Sequence, residues 1–470
     1  MSKIIFSINV GSSSVKISIF SASKGQSPKQ LAESQIDGLT SPPPTLKHTR
    51  DGKPIARDQK LEGKISTQKD AFQYILNLLI NDPDFPQITT VEDIAIASHR
   101  VVHGGDYKAS KIITNDTYHH LETLSDLAPL HNSSSLAIIS HCIYSLPNTR
   151  NIAVFDSEFH SSLPPHISTY PIDQEIAKKN GLRKYGFHGI SYAFITRSVA
   201  EFLGKKEEDT NIIALHLGSG ASACAVKNGK SWDTSMGLTP LAGLPGATRS
   251  GSLDPSLVFH YATNVGKLSP SSTDSLHISR AEEILNKESG WKSLTGTTNF
   301  GTIALSSDPK MKLAFDIFVD RILSYIGHYY VSLKGNVDAL VFAGGIGEKS
   351  DVLRKRVVDG VGCLGFEIDE EKNGKRIEEV VQDVGKEGAR HRTLVCLTDE
   401  QFEMARHCVV DEELFEYSRI EAGSRKTRRS DHSFLAKLDM HHNIQSVHHK
   451  LSQNKLDYPD YHHPHHQRDE

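Results

Sequence analysis

A strand–turn–strand unit that the chain carries twice constrains its fold more than any other feature. Residues 3–20 read KIIFSINVGSSSVKISIF, with Ile4, Phe6, Ile8 and Val10 on one face and Val15, Ile17 and Ile19 on another. That period of two predicts two antiparallel strands joined by a tight Gly-Ser connection. About two hundred residues later, NIIALHLGSGASACAVKNG (211–229) repeats the pattern and adds an Asn-Gly hairpin turn. A third relative, DALVFAGGIGEKSDVLRKRV (338–357), reads as a strand, a glycine loop and the start of a helix. Two such units imply a duplicated architecture with one copy in each of two domains. Helical patterns fill the intervals, so the class is α/β or α+β.

Other segments place the rest of the chain. Residues 41–68, proline-rich and charged, read as a surface excursion, and the apolar spacing of DAFQYILNLLI predicts a helix over 69–80. IAIAS (94–98) and NIAVFD (151–156) read as buried strands. With 470 residues, 37% of them hydrophobic, the chain is long enough for two or three cored domains. A net charge of −4 gives no reason to expect nucleic acid or an anionic membrane as partner. Five scattered cysteines without a CxxC pair point to free thiols in a reducing compartment. No run of transmembrane length and no signal-peptide anatomy is visible, so the cytoplasm is the expected location. From about 412 onward the chain is polar, with nine histidines after position 431, and reads as a disordered tail. Those histidines could hold zinc or nickel, but solvated disorder is the preferred reading.

The turns themselves carry chemistry. Glycine lets a backbone approach phosphate oxygens, and short hydroxyls donate to them without bulk. One such turn alone is a plain hairpin facing water. Two turns and the GGIGE loop supply the several contacts that a nucleotide needs. None is a Walker loop or the dinucleotide fingerprint. The pattern therefore points to a nucleotide held between two domains by hairpin loops.

The motifs NVGSSSVKISIF, SHRVVHGG, LAPLHN, FDSEFH, RKYGFHGIS, LHLGSGAS, DTSMGLTPLAGLPGATRSGSLDP, GGIGEKS and LTDEQFEMAR stand in the order and spacing of the acetate kinase family. The resemblance covers nearly all of residues 3–410, and the proline-rich insertion is similar to the fungal-type branch. It implies a duplicated actin/hexokinase-like (ribonuclease H-like) α/β fold with a nucleotide cleft between domains. The first domain would span 1–155 plus about 396–411, and the second 156–395, ahead of the tail from 412. It also implies a homodimer, and reversible in-line transfer of the ATP γ-phosphoryl group to acetate with Mg2+ or Mn2+. A carboxylate is already ionised near neutrality, so such a site must mainly align two anions and neutralise the migrating charge.

By the same resemblance, Arg100 and Arg249 flank the carboxylate and the transferring phosphoryl, where a planar fork suits paired oxygens. His188 would stabilise the transition state, with His131 and His216 as supporting histidines. Glu400, with Asn9, would hold the metal, and Asp156 would position the metal or the reacting groups. Asn9, Ser12, Ser14 and Lys16 would meet phosphates from the first hairpin, and His216, Gly218, Ser219 and Gly220 from the second. Gly344, Gly345, Ile346 and Gly347 would seat adenosine. Val102, Leu130, Phe187 and Pro240 would form the methyl pocket. In isolation the arginines read as ion pairs, the histidines as satisfied core residues and Asp399–Glu400 as a helix cap.

The chain also departs from the family pattern. Ser219 stands for an asparagine, and Asn299 and Gly301 replace an aspartate and arginine that serve the nucleotide. Tyr192 replaces a histidine and Glu158 an alanine, both read as drift. The rival readings are a propionate- or butyrate-type acyl kinase, a weakened regulatory relative, and an actin- or chaperone-like nucleotide switch.

Overall fold

The opening pattern folds as its period requires: β1 (Lys3–Val10) and β2 (Ser14–Ala22) pair antiparallel, with Asn9 opposite Lys16 and Val10 opposite Val15. In this computed structural model, which describes residues 2–125, 129–261, 268–269, 272 and 278–416, that hairpin lies inside a mixed sheet. The remaining strands of the sheet are β3 (Lys29–Asp37), β4 (Thr45–Arg50), β5 (Lys53–Lys60), β6 (Ile94–Val101), β7 (Lys111–Ile112) and β8 (Arg150–Phe155). The order is β5-β4-β3-β2-β1-β6-β8-β7, with β1, β6 and β8 parallel.

The second sheet is built from β9 (Ile212–Leu217), β10 (Ala221–Lys227), β11 (Lys230–Thr234), β12 (Ala339–Ala343), β13 (Val381–Asp383) and β14 (Arg392–Cys396). Its order is β11-β10-β9-β12-β14-β13, with β9, β12 and β14 parallel. The run β3-β2-β1-β6-β8 in the first sheet thus has the same succession as β11-β10-β9-β12-β14 in the second. Asn228 and Gly229 both take positive φ, at 51° and 71°, as a tight hairpin between β10 and β11 demands.

Residues 41–68 correct the sequence reading. They are not a plain excursion, because β4 and β5 extend the first sheet by antiparallel pairing. The outermost strand, β5, is exposed along nearly its whole length and is therefore polar. Charged residues on an edge discourage further pairing, and they also erase the alternation that would reveal a strand. The GGIGE segment differs too. It opens a short helix, Gly344–Lys349, directly after β12. Gly344 has φ +75°, and a Cβ there would lie 2.7 Å from the Leu217 carbonyl oxygen.

Each sheet buries both faces. The helix Gln68–Ile80 sets Ala71, Phe72, Ile75, Leu76 and Leu79 against Phe6, Ile8, Val15, Ile17 and Ile19. Its amino end is closed by a capping box between Thr67 and Asp70. Replacing Thr67 with Ala removes that acceptor and should lower stability by about 1 kcal/mol, read as a shift in the urea midpoint. The other face, with Ile5, Phe20, Ile96, Ile152 and Val154, is covered by Met404, Ala405 and Cys408 of the helix Glu400–Val410. Ser7 Oγ donates to the Gln401 carbonyl, and Gln401 Nε2 donates to the Ser7 carbonyl, so this late helix is tied to β1. The expected tail boundary at 412 is too early: the helix Glu412–Glu416 buries Leu414 and Phe415 in the same cluster. The nine histidines of the tail lie outside the described residues.

The second sheet packs Leu215, Leu217 and Phe342 under Phe315, Phe318 and Ile322 of the helix Pro309–Ser332. Its opposite face meets Tyr192, Ile195 and Val199 of the helix Gly189–Phe202. Ile190 of that helix belongs to the first sheet's cluster, so one helix serves both sheets. Among the described residues, no helix is long and apolar enough to cross a membrane.

Candidate active site

Parallel strands direct their carboxyl ends to one edge, and chemistry gathers there. Asn9 and Arg100 are the penultimate residues of β1 and β6, and Asp156 follows β8. In the second sheet His216 is penultimate in β9, Gly344 follows β12, and Glu400 lies just beyond β14.

These positions bring Arg100 and Asp156 together. Arg100 Nη2 donates to Asp156 Oδ2 at 2.7 Å, and Nε donates to Oδ1 at 3.1 Å. Arg100 Nη1 reaches Asn9 Oδ1 at 3.3 Å and stands 4.0 Å from Glu400 Oε2. Burial works to lower the guanidinium pKa, but Asp156 and Glu400 outweigh it and hold Arg100 above its ordinary value. For Asp156 burial is the largest influence and raises the carboxyl; Arg100 opposes it and Glu400 adds to it.

Arg249 is placed differently. Its Nη1 donates to the Pro240 carbonyl at 3.2 Å, and no carboxylate among the described residues pairs with it. A Cβ on Gly220 would lie 2.8 Å from Arg249 Nη2, so the bare glycine is what admits the guanidinium. Burial, with Arg100 adding repulsion, pulls Arg249 down to about 10. A partly buried cation without a counter-ion is disfavoured. It is stabilised when an anion arrives.

The histidines line the space beside the arginines. His188 takes φ +59°, a left-handed conformation uncommon outside glycine, directly before the helix Gly189–Phe202. The turn is held because Gly189 N donates to the Asp156 carbonyl at 2.8 Å, and a Cβ at Gly189 would sit 2.2 Å from that oxygen. His188 stacks on His216 with centroids 4.1 Å apart. Nδ1 of His188 is 2.8 Å from Ser222 Oγ, and Nδ1 of His216 is 2.7 Å from Ser191 Oγ. Burial foremost, then the charges of His216, Arg100 and Arg249, keep His188 well below the usual histidine range. His131 is pushed down to about 3 by burial, then by Arg249 and Arg100. Both imidazoles are neutral donors or acceptors at physiological pH.

Val102 and Phe187 meet in an apolar cluster that also contains Tyr185, Met236 and Leu238. Pro240 is buried and lends its carbonyl to Arg249; the side chain of Leu130 lies outside the described residues. In the first hairpin Gly11 N donates to the Ser14 carbonyl at 2.9 Å, Ser12 is exposed, and Gln68 Nε2 holds the Ser12 carbonyl. Lys16 has a partner on the neighbouring strand. Its ammonium pairs with Glu33 at 3.1 Å across the sheet. In the second turn Gly218 N donates to the Gly220 carbonyl, Ala247 N donates to the Ser219 carbonyl, and Ser219 is exposed. Gly345 is exposed and Ile346 half-buried, whereas Gly344 and Gly347 are buried.

The departures also find partners. Asn299 caps the helix Phe300–Ala304 by accepting from Thr302 N, and Gly301 sits within that helix. Glu158 accepts from Ser110 Oγ at 2.9 Å and faces His407 at 3.6 Å, so it is bonded into the fold. Tyr192 is no drift either, since its Oη lies 2.6 Å from Ser222 Oγ. Sequence reasoning missed His103, whose Nδ1 accepts from Gly105 N and whose Nε2 meets the Leu238 carbonyl. It stood inside the quoted motif SHRVVHGG, but nothing there marked it as lying against Tyr185 and Phe187.

Asn9 Oδ1 and the carboxylates of Asp156 and Glu400 are the oxygen donors grouped around Arg100. Among the described residues no three His, Cys, Asp or Glu side chains are arranged to enclose an ion. One or two carboxylates with substrate phosphates and water suit a hard divalent cation, so the donor set fits one.

Comparison with known proteins is consistent across sequence and structure. Residues 4–406 match the model of the acetokinase family. A Neurospora crassa protein named "Probable acetate kinase" is 62% identical over 447 residues, which is 88% of this chain and 95% of that relative. The crystal structure of Porphyromonas gingivalis acetate kinase aligns with a TM-score of 0.73 at 30% identity, covering 87% of this chain and all of that one. A propionate kinase from Francisella tularensis aligns with a TM-score of 0.75 at 32% identity, covering 86% and 98%.

Proposed function

Because the chain belongs to the acetokinase family, we propose that it transfers the γ-phosphoryl group of ATP to acetate, reversibly, giving acetyl phosphate and ADP. The observation that carries this proposal is the pair of guanidiniums in unlike states. Arg100 is clamped by Asp156, and Arg249, beside the two stacked imidazoles, has no carboxylate partner among the described residues. A clamped fork orients a carboxylate, and an uncompensated one draws the charge of a migrating phosphoryl.

On this reading the acetate carboxylate lies between Arg100 and Arg249, and its methyl group meets Val102 and Phe187 with Pro240 and Leu130. Asp156 keeps Arg100 aimed and lends its charge to the metal side. His188 donates to an equatorial phosphoryl oxygen, and His216 and His131 support the same face. The Ser12–Ser14 and Gly218–Gly220 turns follow the phosphate chain, and Gly344–Gly347 seats adenosine. Asn9 and Glu400, with Asp156, would hold Mg2+ or Mn2+. That cation would neutralise phosphate charge when bound. A cytoplasmic homodimer with an amino-terminal lobe (1–155 with about 396–411) and a carboxy-terminal lobe (156–395) completes the proposal. Five unpaired cysteines suit a reducing compartment.

Trapping with hydroxylamine tests it. Acetate with ATP and Mg2+ should give acyl hydroxamate far above an Arg249→Ala control, and equality with that control would discard the proposal. Repeating the assay with propionate, butyrate, GTP and pyrophosphate separates the acyl kinases. The acceptor pocket gives a further expectation. Val102 is half-buried at its rim, so Val102→Ala removes its two γ-methyl groups and leaves room for a longer acyl chain. The propionate-to-acetate ratio of kcat/KM should rise about tenfold, and an unchanged ratio would place the methyl group elsewhere.

A further inference from the structure

We propose that Tyr192, acting through Ser222, determines which nitrogen of His188 carries the proton, so that His188 presents an Nε2–H donor to the transferring group. This deepens the acyl kinase reading and rests on it.

Both hydroxyls are sealed from solvent: Tyr192 and Ser222 are each 0% exposed. Ser222 Oγ has two neighbours, His188 Nδ1 at 2.8 Å and Tyr192 Oη at 2.6 Å. Among the described residues, Ser222 Oγ is the one hydrogen-bond partner of Tyr192 Oη. The phenol proton then has one acceptor among the described residues, Ser222 Oγ. The serine proton, displaced from that side, has one acceptor in turn, His188 Nδ1. Every buried proton is satisfied in this direction only. Reversing the chain would put a proton on Nδ1 and strand the phenol proton in a site closed to water, which is destabilising. His188 Nδ1 is therefore the unprotonated nitrogen, and the single imidazole proton sits on Nε2, which has no partner among the described residues.

The stacked neighbour is organised alike. His216 Nδ1 meets Ser191 Oγ at 2.7 Å, and Ser191 Oγ meets Thr398 Oγ1 at 2.9 Å. Ser191 and Tyr192 are adjacent at the start of the helix Gly189–Phe202, so one turn of helix sits behind both rings. Neutral His188 is a donor in one tautomer and an acceptor in the other. Only the first helps an anionic phosphoryl. Tyr192 is thus a positioning residue that touches no substrate.

The test uses full-length protein labelled with 15N in its histidine rings, with the His188 signals identified by their loss in His188→Gln. Long-range 1H–15N spectra report the tautomer directly. Wild type should show Nε2–H alone. Tyr192→Phe, which keeps the buried ring, should populate both tautomers and lower kcat about tenfold, with KM for acetate and ATP unchanged. Ser222→Ala should do the same, and the double variant should be no worse than Ser222→Ala. If Tyr192→Phe does not fold, Ser222→Ala carries the measurement. An Nδ1–H tautomer in wild type would overturn the proposal. So would a variant that only lowers thermal stability while tautomer and kcat stay as in wild type. If wild type makes no acyl phosphate, the acyl kinase reading fails, and the spectra still decide the tautomer.

Discussion

Replacing Arg249 with Ala should lower acyl phosphate formation about a thousandfold while leaving the thermal midpoint unchanged or slightly raised. The two halves of this expectation have one cause. In the free protein the guanidinium is held by the Pro240 carbonyl, with Gly220 giving it room, and no carboxylate among the described residues pairs with it. Burial and Arg100 pull its pKa down to about 10, so its charge is already disfavoured. Removing such a charge relieves the folded state and deprives only the charge-laden transition state. An ordinary structural arginine behaves in the opposite way: its loss lowers the melting temperature and spares the rate. Steady-state hydroxamate kinetics beside calorimetry of the same samples will separate the two. A variant that melts early and keeps more than a tenth of wild-type kcat would remove Arg249 from the chemistry.

The second large effect is acid instability. His99, His103 and His160 are buried, and burial pushes each down to about 4. Each is bonded as a neutral ring: His99 to Asn151 Oδ1, His103 to Gly105 N and the Leu238 carbonyl, His160 to Ser231 Oγ and the Phe187 carbonyl. In the unfolded chain a histidine titrates near ~6.5. Between that value and about 4 the unfolded state binds protons that the folded state refuses, so stability falls as pH falls through this window. Above it nothing is lost, and below about 4 these three add no further loss. One pH unit below the unfolded value costs about 1.4 kcal/mol per group, or about 4 kcal/mol for three at roughly pH 5.5. That is a large share of the ~5–15 kcal/mol that holds most domains folded. Urea unfolding across this range should show uptake of about three protons from these rings, beyond those taken up by His131 and His188, and His99→Gln should reduce the total by about one. A flat profile between about pH 7 and 5.5 would mean that these rings are already charged in the folded protein.

Much of this was legible in the chain, for definable reasons. A buried strand must alternate or run apolar, so β1, β2, β6, β8, β9, β10 and β12 announce themselves. A turn that must approach an anion or another backbone needs glycine and small hydroxyls, which made both hairpins visible. Arg100, Asp156 and His188 stood in recognisable motifs, and the fold sets them on one edge. The edge strands β4 and β5 were not legible, because a strand facing water on its outer side carries the composition of a loop. The ion pair of Lys16 was hidden for a similar reason: its partner Glu33 lies on a neighbouring strand, and no local pattern connects them. Tyr192 looked like drift because its hydrogen-bond partner Ser222 lies thirty positions away, opposite His216 in the sheet.

The amino-acid sequence alone determined the duplicated α/β plan, the strand ends that carry chemistry and the residue types available there, since periodicity and glycine placement are local properties of a chain. Tertiary structure alone decided the charge states. It left Arg249 without a counter-ion among the described residues, clamped Arg100 on Asp156, and gave the imidazoles of His188 and His216 their hydroxyl partners. Charge and proton placement depend on what lies within a few ångströms and how much water is excluded, and neither distance is written along the chain.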